Sequence, residues 1–421
     1  MNIILDKCYS ENIMAAKLWI EDGSRADPLG KKGIHQILSS TILRGCGPYD
    51  NNQIAEIVES AGAILNCETY EDGLLITLKC IQSDAYKLLP LVGWMITEPT
   101  LDFNQIELEK DLTVNSIKRQ RESLYQQAFD GWRNMIYNHG PYGHDPLGSI
   151  DDIKRIERKH LIPIANSLIN RKKNLVISGI FPSNIESYVK SLKAFRKINE
   201  RIIDNYKAKK NKTNLKLLYT QESKICTKII KSKQVVILIG KATISYNNEA
   251  DILLRLISCY LGYGMSSLLF KVLREKYGLV YETGIYHPIR ENQAPFIMHA
   301  STTQEKASLT LNLLKECWDK IIQSEVSLKE LATLKKKYRG QMAHSLQSIS
   351  QRAEHKVHLL GIGIGLEQNN YILSRLENIS SKEIREAANL YLTNPSLSIC
   401  GNENIVQNLS IQWESNKFNG I

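Results

Sequence analysis

The segment LGYGMSSLLFKVLREKYGLVYE, Leu261–Glu282, decides the fold because its glycines have counterparts earlier in the chain. Gly262 follows Gly45 by 217 residues, and Gly278 follows Gly62 by 216 residues. Each of these four glycines comes at or just after the end of a helical pattern, where glycine commonly ends a helix. Landmarks that keep one spacing over such a distance indicate that the second half of the chain repeats the first.

The predicted elements around these glycines have the same order in both halves. In the first half the patterns predict a strand at 14–20, helices at 33–44 and 53–60, and strands at 63–69 and 74–80. In the second half they predict a strand at 235–239, helices at 249–261 and 267–276, and strands at 279–286 and 295–299. We therefore predict an α+β fold of two duplicated domains, each a mainly antiparallel sheet packed with helices.

A long helical pattern follows the strands in each half, at 104–127 and at 327–355, and predicts a helix packed over each sheet. Between the halves, the stretch 198–222 is rich in Lys, Asn and Asp and poor in apolar periodicity. That composition is typical of a linker. We predict an N-terminal domain at 1–200, a linker at 201–222 and a C-terminal domain at 223–421.

The composition is that of an ordinary globular protein. Of 421 residues, 43% are hydrophobic and 23% are charged, which supplies a core for each of two domains. The eight cysteines include no Cys-x-x-Cys pair, which argues against a zinc ribbon and indicates free thiols in a reducing compartment. No apolar run approaches the length of a membrane span, and residues 1–12 lack the pattern of a secretory signal. We predict a cytoplasmic location.

The net charge of +10 is the one global feature that favours nucleic acid as a partner. The lysines are spread along the chain, however, and the densest cluster, Lys207–Lys216, lies in the predicted linker. A solvated linker explains this cluster better than a binding patch does. We therefore predict no nucleic-acid partner, and we expect the excess charge to attract acidic partners or peptides at long range.

Motifs along nearly the whole chain resemble those of the M16 peptidases, the insulinase and mitochondrial-processing-peptidase type. The matching stretches are Trp19–Arg25, Asn66–Thr69, His139–Gly143, Asn174–Gly179 and Leu261–Glu282. The resemblance implies two domains that form a half-clamshell. It also places the family's inverted zinc motif, His-x-x-Glu-His, at the helix that contains His35.

Most of the zinc chemistry is absent from that motif. The five positions from His35 to Ser39 read His-Gln-Ile-Leu-Ser, so Leu38 replaces the general base and Ser39 replaces the second histidine. The family's last ligand comes from a later helix, and the matching run 109–117 has Ser116 in its place. Leucine cannot take a proton from water and serine is a poor zinc ligand, so a lone imidazole remains. We predict no metal in this chain and a structural role for its histidine.

The segment Leu261–Glu282 resembles the family's substrate-side signature, in which the Arg and the Tyr correspond to Arg274 and Tyr281. The resemblance implies that this pair contacts the substrate main chain beside a zinc-bound water. The chemistry suits peptide hydrolysis, because a phenol can donate to the oxyanion while a guanidinium holds the adjacent carbonyl oxygens. The alternative is structural, with Arg274 in a surface ion pair and Tyr281 packed in the core.

Three further residues are expected near the substrate. Gly262 and Gly264 flank Tyr263 in a turn that follows a helix and lacks the lysine of a phosphate-binding loop. This turn is predicted to stop the helix or to allow a close backbone approach. Asn66 belongs to Leu65–Thr69, the strand whose edge is the candidate for pairing with a peptide.

The resemblance implies a subunit that is inactive alone and completes a zinc endopeptidase. In two-chain members of the family, a partner carries the intact zinc motif and an incomplete Arg/Tyr pair. Arg274 and Tyr281 would then act at the partner's zinc, which implies a heterodimer, a peptide substrate and no cofactor in this chain. Homodimerisation of the chain alone stays open. The alternative function is a structural or assembly scaffold of the same fold, as in some respiratory-complex core subunits.

Overall fold

The computed structural model describes residues 2–9, 11–138, 140–195 and 223–417, with side chains through position 415. The predicted linker 201–222 and His139 lie outside these ranges. The described residues form two five-stranded sheets and one two-stranded ribbon. Most neighbouring strands are antiparallel and helices pack on the sheets, which confirms the predicted α+β class.

The strands of the first sheet are β1 Asn2–Lys7, β2 Ile13–Glu21, β5 Ile64–Thr69, β6 Gly73–Ile81 and β7 Lys173–Gly179, and the ribbon consists of β3 Gly45–Cys46 and β4 Tyr49–Asp50. Their order in the sheet is β1-β7-β2-β6-β5. β1 and β7 are parallel, and the other neighbours are antiparallel.

The strands of the second sheet are β8 Ile225–Ile229, β9 Gln234–Ala242, β10 Val280–Tyr286, β11 Pro295–Thr303 and β12 Ser396–Gly401. Their order is β8-β12-β9-β11-β10, with β8 and β12 parallel and the other neighbours antiparallel. This order repeats the first sheet strand for strand. The predicted duplication is therefore confirmed.

Helices occupy much of the remaining described chain. In the first half they are α1 Ile34–Thr41, α2 Asn51–Ser60, α3 Ala85–Thr97, α4 Phe103–Gln120, α5 Leu124–Tyr137, α6 Ile150–Arg155, α7 Arg158–Leu168 and α8 Ile185–Ser191. In the second half they are α9 Asp251–Gly262, α10 Ala307–Gln323, α11 Leu328–Ser345, α12 Ile349–Gly361, α13 Gln368–Asn378, α14 Ser381–Leu392 and α15 Glu403–Lys417. No helix in the described ranges has both the length and the hydropathy of a membrane span.

β2 is buried on both faces, which explains why its sequence alternates only in part. Leu18 and Ile20 join the core that α1 and α3 cover. Trp19 points to the opposite face and packs with Ala353 and Val357 of α12. A strand that is covered on both sides needs apolar residues at successive positions.

Each of the two long helical patterns contains two helices, so the predictions of one helix at 104–127 and one at 327–355 are wrong. The Ser123 side chain accepts from the N–H of Gln126 and begins α5. Ser348 and Gln351 form a capping box that begins α12. Both breaks carry the sequence Ser-x-x-Gln, an N-cap signal that helical periodicity alone does not reveal.

α5 and α12 each pack on the sheet of the opposite half of the sequence. α5 lies on β8, β9 and β12, whereas α12 lies on β2 and β7. The described residues of the first compact unit accordingly come from 2–118, 144–195 and 343–366. Those of the second come from 119–143 without position 139, 223–342 and 367–417. The limits of the linker stay a prediction, because that stretch lies outside the described residues.

Candidate functional site

His35 lies in the first turn of α1, and neighbouring groups occupy both of its ring nitrogens. Its Nδ1 is 2.7 Å from Oδ1 of Asp27, and its Nε2 is 3.3 Å from Nη1 of Arg171. Only 1% of the residue is exposed. Because a guanidinium can only donate, Nε2 accepts, and Nδ1 carries the proton that is donated to Asp27. The ring therefore acts as a buried hydrogen-bonding group.

The carboxylate of Asp27 forms hydrogen bonds with several groups around this histidine. Its Oδ2 accepts from the N–H of Gly33 at 2.6 Å and lies 3.1 Å from Nε2 of His144. Burial alone would raise the pKa of Asp27, but hydrogen bonds from His144, His35 and Gly33 bring that pKa below its ordinary value. Gly33 has a φ of 91°, and a Cβ there would lie 2.5 Å from the carbonyl oxygen of Leu147, so the start of α1 requires glycine.

The other three positions of the zinc motif carry no metal-binding group. Leu38 is fully buried in the core. Ser39 Oγ donates to the carbonyl of Gln36 at 3.0 Å, and Ser116 Oγ donates to the carbonyl of Leu112 at 2.9 Å. Across the described residues, no three His, Cys, Asp or Glu side chains come together as a metal site requires. The donors that are present do not fit zinc.

Asn66 lies on β5, which is an edge strand of the first sheet as predicted, and lines a cavity of about 470 Å³. Its Oδ1 accepts from the N–H of Cys67 at 2.9 Å. Arg44 and Glu109 also line the cavity and form an ion pair with an N–O distance of 2.7 Å, and Glu109 is only 6% exposed. The sequence contains no local signal for this cavity, because the ion-paired residues Arg44 and Glu109 are 65 positions apart.

Arg274 lies in a π-helix, Phe270–Lys276, at a place where the sequence predicts an α-helix. Short π-helical turns are frequent at functional sites. The guanidinium carbon of Arg274 lies 5.1 Å from the ring centroid of Phe270, and the side chain is exposed. Within the described ranges it makes no ion pair and no hydrogen bond. The alternative of a surface ion pair is therefore excluded for the described part of the chain.

A β-bulge turns Tyr281 toward solvent. The register between β10 and β11 shifts between Val280 and Glu282, so Tyr281 has no partner on β11. Its side chain is 64% exposed, and among the described residues no group forms a hydrogen bond with its hydroxyl. Bulges re-aim side chains and are common beside active sites. The exposure excludes the alternative that Tyr281 packs in the core.

Gly262 and Gly264 lie where α9 meets β10. Gly262 is the last residue of α9, and a Cβ there would lie 2.9 Å from the backbone nitrogen of Ile285 on β10. Gly264 has a φ of 76°, which favours glycine. Both predicted roles, a helix stop and a close backbone approach, are present in this turn. Lys306 donates to the carbonyl of Gly278 at 2.8 Å and holds the turn between the π-helix and β10.

Comparison with known families and proteins covers both halves of the chain. Residues 3–148 match the profile of insulinase, peptidase family M16, and residues 174–338 match the profile of the peptidase M16 inactive domain. An uncharacterized zinc protease of Rickettsia bellii (strain RML369-C) is 22% identical over 405 residues, which span 94% of this chain and 93% of the relative.

Two relatives with shorter matches are named for larger complexes. The mitochondrial-processing peptidase subunit beta of Neurospora crassa is 26% identical over 166 residues, or 39% of this chain and 35% of the relative. Cytochrome b-c1 complex subunit 1 of Mus musculus is 24% identical over 149 residues, or 35% of this chain and 31% of the relative.

Solved structures share the fold over nearly the whole chain. The crystal structure of a peptidase M16 inactive domain from Pseudomonas fluorescens has a TM-score of 0.81 at 17% identity and covers 95% of both chains. A protease from Helicobacter pylori has a TM-score of 0.82 at 16% identity, over 94% of this chain and 96% of the other. At these identities the likeness concerns the fold.

Proposed function

Because the chain belongs to the M16 (insulinase) peptidase family, we propose that it is the catalytically incomplete subunit of a heterodimeric zinc peptidase. A partner subunit with an intact His-x-x-Glu-His motif holds the zinc and the general base. This chain binds the peptide and completes the oxyanion site with Arg274 and Tyr281. It has no hydrolytic activity alone, because its own motif keeps one histidine whose two nitrogens are engaged.

The exposure of a phenol and a guanidinium that form no hydrogen bond within the described residues carries this proposal. The bulge in β10 leaves Tyr281 64% exposed, and the π-helix that contacts β10 leaves Arg274 exposed. Neither side chain has a hydrogen-bond partner in the described residues, so neither contributes a hydrogen bond to the stability of this part of the fold. Two donors in this state are available to a ligand.

The pair suits the charge that develops during peptide hydrolysis. Attack of water on the scissile carbonyl places negative charge on its oxygen, and the hydroxyl of Tyr281 donates to that oxyanion. The planar fork of Arg274 donates to the neighbouring carbonyl oxygens of the peptide and fixes its register. Neither residue accepts a proton or activates water, so the reaction depends on the partner's metal site.

The peptide is expected to pair as an added strand. β5 and β10 are edge strands of their sheets in the described part of the chain. Main-chain pairing on such an edge is tolerant of peptide sequence. Gly262 and Gly264 contribute no side chain to the turn beside β10, and Asn66 lies on β5 within the first compact unit.

A scaffold without peptidase function is the second candidate. The likeness to cytochrome b-c1 complex subunit 1 favours it, since that relative is named for a complex rather than for a protease. Both candidates need a partner, and a homodimer of this chain is a possible outcome of the purification below. We propose a cytoplasmic location, which the eight free cysteines support.

The test is cleavage of quenched fluorescent peptides by this chain mixed with the His-x-x-Glu-His chain of the same organism. We expect Tyr281→Phe to lower kcat/KM by about 100-fold or more, the usual cost of losing one oxyanion donor. Arg274→Ala should lower it by about 10-fold or more, because charge-assisted hydrogen bonds to the peptide carbonyl oxygens are lost. Lys276→Ala and Tyr277→Phe are matched controls, because both residues are exposed in the same turn. They should stay within about twofold of the wild type.

The same preparations distinguish the two candidates. A complex that assembles and cleaves equally well with Arg274→Ala and with Tyr281→Phe would replace the proposal with the scaffold function. Metal analysis of each separated chain should find zinc in the partner. Stoichiometric zinc in this chain, together with cleavage in the absence of the partner, would contradict the proposal.

A further inference from the structure

We infer that the cavity beside β5 binds a lysine or arginine side chain of a peptide that pairs with this strand. The cavity has a volume of about 470 Å³ and is lined by residues of α1, α2, α4 and β5 and of the chain that follows α1, all within the first compact unit. The inference rests on one part of the proposed function, the added strand on β5. It does not depend on the role of Arg274 and Tyr281.

The cavity lies on the helix-covered face of the first sheet, at the edge that β5 forms. Leu65 and Cys67, two positions apart on β5, both line the cavity and both pack with the core that α1 and α3 cover. Alternate residues of a strand share a face, and residues that pair directly across two strands project to the same face. A peptide residue that pairs with Leu65 or Cys67 therefore directs its side chain toward the cavity.

The carboxylate of Glu109 supplies the specific contact for a cation. Glu109 is 6% exposed and lines the cavity. Nε and Nη2 of Arg44 both lie 2.7 Å from its Oε1, so one oxygen takes both donors of the guanidinium. No group in the described part of the chain donates to Oε2. Since an ionised carboxylate accepts at both oxygens, this nearly buried group keeps an acceptor for a ligand.

The apolar part of the lining suits the aliphatic stem of a long side chain. It consists mainly of Leu43, Ile54, Val58 and Leu65. The methylene groups of lysine or arginine pack on such a wall while the charged end stays with a polar partner. A side chain with an apolar stem and a cationic end therefore matches both parts of the cavity.

The charges around the cavity favour a cation over an anion. Among the described residues that line it, Arg44 is the one cation, whereas Glu59 and Glu109 are carboxylates. Glu59 is exposed and forms no ion pair within the described ranges. A cationic side chain is attracted by the excess carboxylate, and an acidic one is repelled. This local balance is opposite in sign to the net charge of +10 of the whole chain.

The experiment measures peptide binding to this chain alone by isothermal titration calorimetry, without a partner subunit and without cleavage. The probes are short threonine-rich peptides whose central residue is lysine, arginine or norleucine, the last of which keeps an aliphatic chain without a charge. We expect the lysine and arginine peptides to bind about 10-fold or more tightly than the norleucine peptide. N-acetyl-lysine amide, which cannot pair as a strand, should bind at least about 10-fold more weakly than the lysine peptide.

Two results would overturn the inference on the unmodified chain. One is equal affinity for the lysine and norleucine peptides, and the other is equal affinity for the lysine peptide and N-acetyl-lysine amide. Absence of binding by all the peptides would remove both the strand on β5 and the inference. Cleavage by the mixed complex would still test Arg274 and Tyr281, so the two failures are distinguishable.

Variants then assign the preference to this cavity. Glu109→Gln should abolish the preference for lysine over norleucine, whereas Glu56→Gln, an exposed carboxylate of α2 that does not line the cavity, should retain it. Ala55→Trp guards against misfolding of Glu109→Gln, because Ala55 is exposed, lines the cavity and takes no part in the ion pair. It should weaken binding of the lysine peptide by about 10-fold. A lysine preference that persists in Glu109→Gln, or full affinity in Ala55→Trp, would contradict the inference.

Discussion

His358 is buried against two aromatic rings where α12 covers the first sheet. Its ring centroid lies 4.5 Å from that of Trp19 and 4.9 Å from that of Tyr70, with both contacts edge-on. No group in the described part of the chain forms a hydrogen bond with its Nε2. Burial lowers the pKa of His358 to about 4, although the charge of Glu354 opposes this shift.

We expect acid to destabilise the protein through this residue. An unfolded histidine has a pKa of about 6.5. Between pH 6.5 and pH 4 the unfolded chain therefore binds a proton that the folded chain excludes, and stability is lost as the pH falls. The expected loss from pH 8 to pH 5 is about 2 kcal/mol. His358→Phe should remove this part of the slope, as measured by the free energy of unfolding in urea at both pH values.

A histidine on the surface provides the control for this prediction. His344→Phe, on an exposed position of α11, leaves His358 in place and should keep the slope. Equal pH slopes in the wild type and in His358→Phe would show that another group is responsible.

At the scale of elements, α9 and β10 pack with no side chain between them at Gly262. Because a Cβ there would lie 2.9 Å from the backbone of Ile285, Gly262→Ala should cost about 1–3 kcal/mol and displace the strand that carries Tyr281. We expect a lower thermal midpoint and slower cleavage by the mixed complex.

Gly340→Ala is the matched change inside α11, where a new Cβ would meet no atom within 4 Å. It should stabilise the protein by about 0.5–1 kcal/mol, because alanine favours a helix over glycine. Thermal unfolding of both variants checks the pair. If the Gly262→Ala protein is as stable and as active as the wild type, β10 accommodates the added methyl group without cost and the expectation is wrong.

The capping box at Ser348 decides where α12 begins and hence how it reaches the first sheet. Ser348→Ala removes the acceptor of the Gln351 N–H and should lower the free energy of unfolding by about 1 kcal/mol. Ser348→Asp keeps an acceptor and should retain most of the stability. Chemical unfolding followed by tryptophan fluorescence measures both. If alanine and aspartate behave alike, the cap is not what holds the start of this helix.

At the scale of the whole molecule, one face of each sheet is covered by a helix from the other half of the sequence. Val176 in the first half packs against Val357 of α12. In the second half, Ser398 Oγ donates to the carbonyl of Ala128 in α5 at 2.7 Å. Each sheet therefore obtains one of its layers from the distant half of the chain.

We expect the segments 1–200 and 223–421 to be unstable when each is produced alone, because each would expose an apolar sheet face. Produced together, they should recover a complex with a thermal midpoint close to that of the intact chain. Calorimetry and size-exclusion chromatography measure the two cases. Independent folding of each segment with the midpoint of the intact chain would contradict the expectation.

Much of the fold could be predicted because its signals are local. Strands and helices follow spacings of two and 3.6 residues, and the duplication follows from glycines that end helices in both halves. The loss of the general base at Leu38 and of zinc ligands at Ser39 and Ser116 depends only on residue type at matched positions. The breaks before α5 and before α12 were not predicted, because apolar periodicity continues across the capping residues Ser123 and Ser348.

The sequence singles out the candidate residues, whereas their exposure is set by the tertiary structure. Arg274 and Tyr281 are visible in the segment Leu261–Glu282, whereas the π-helix and the bulge that expose them depend on how β10 registers against β11. Pairing of this kind is a long-range property of a sheet.

By itself, the sequence determined the order of elements, the duplication and the absence of a complete zinc motif, since each is encoded in neighbouring residues or in a fixed spacing. Only the tertiary structure decided which side chains form hydrogen bonds within the described part of the protein and which are exposed without such a bond. Arg171 meets His35 across 136 positions, and α12 reaches β2 from the other half of the chain. Such contacts arise from packing of the whole polypeptide, because no local pattern specifies a partner so far away.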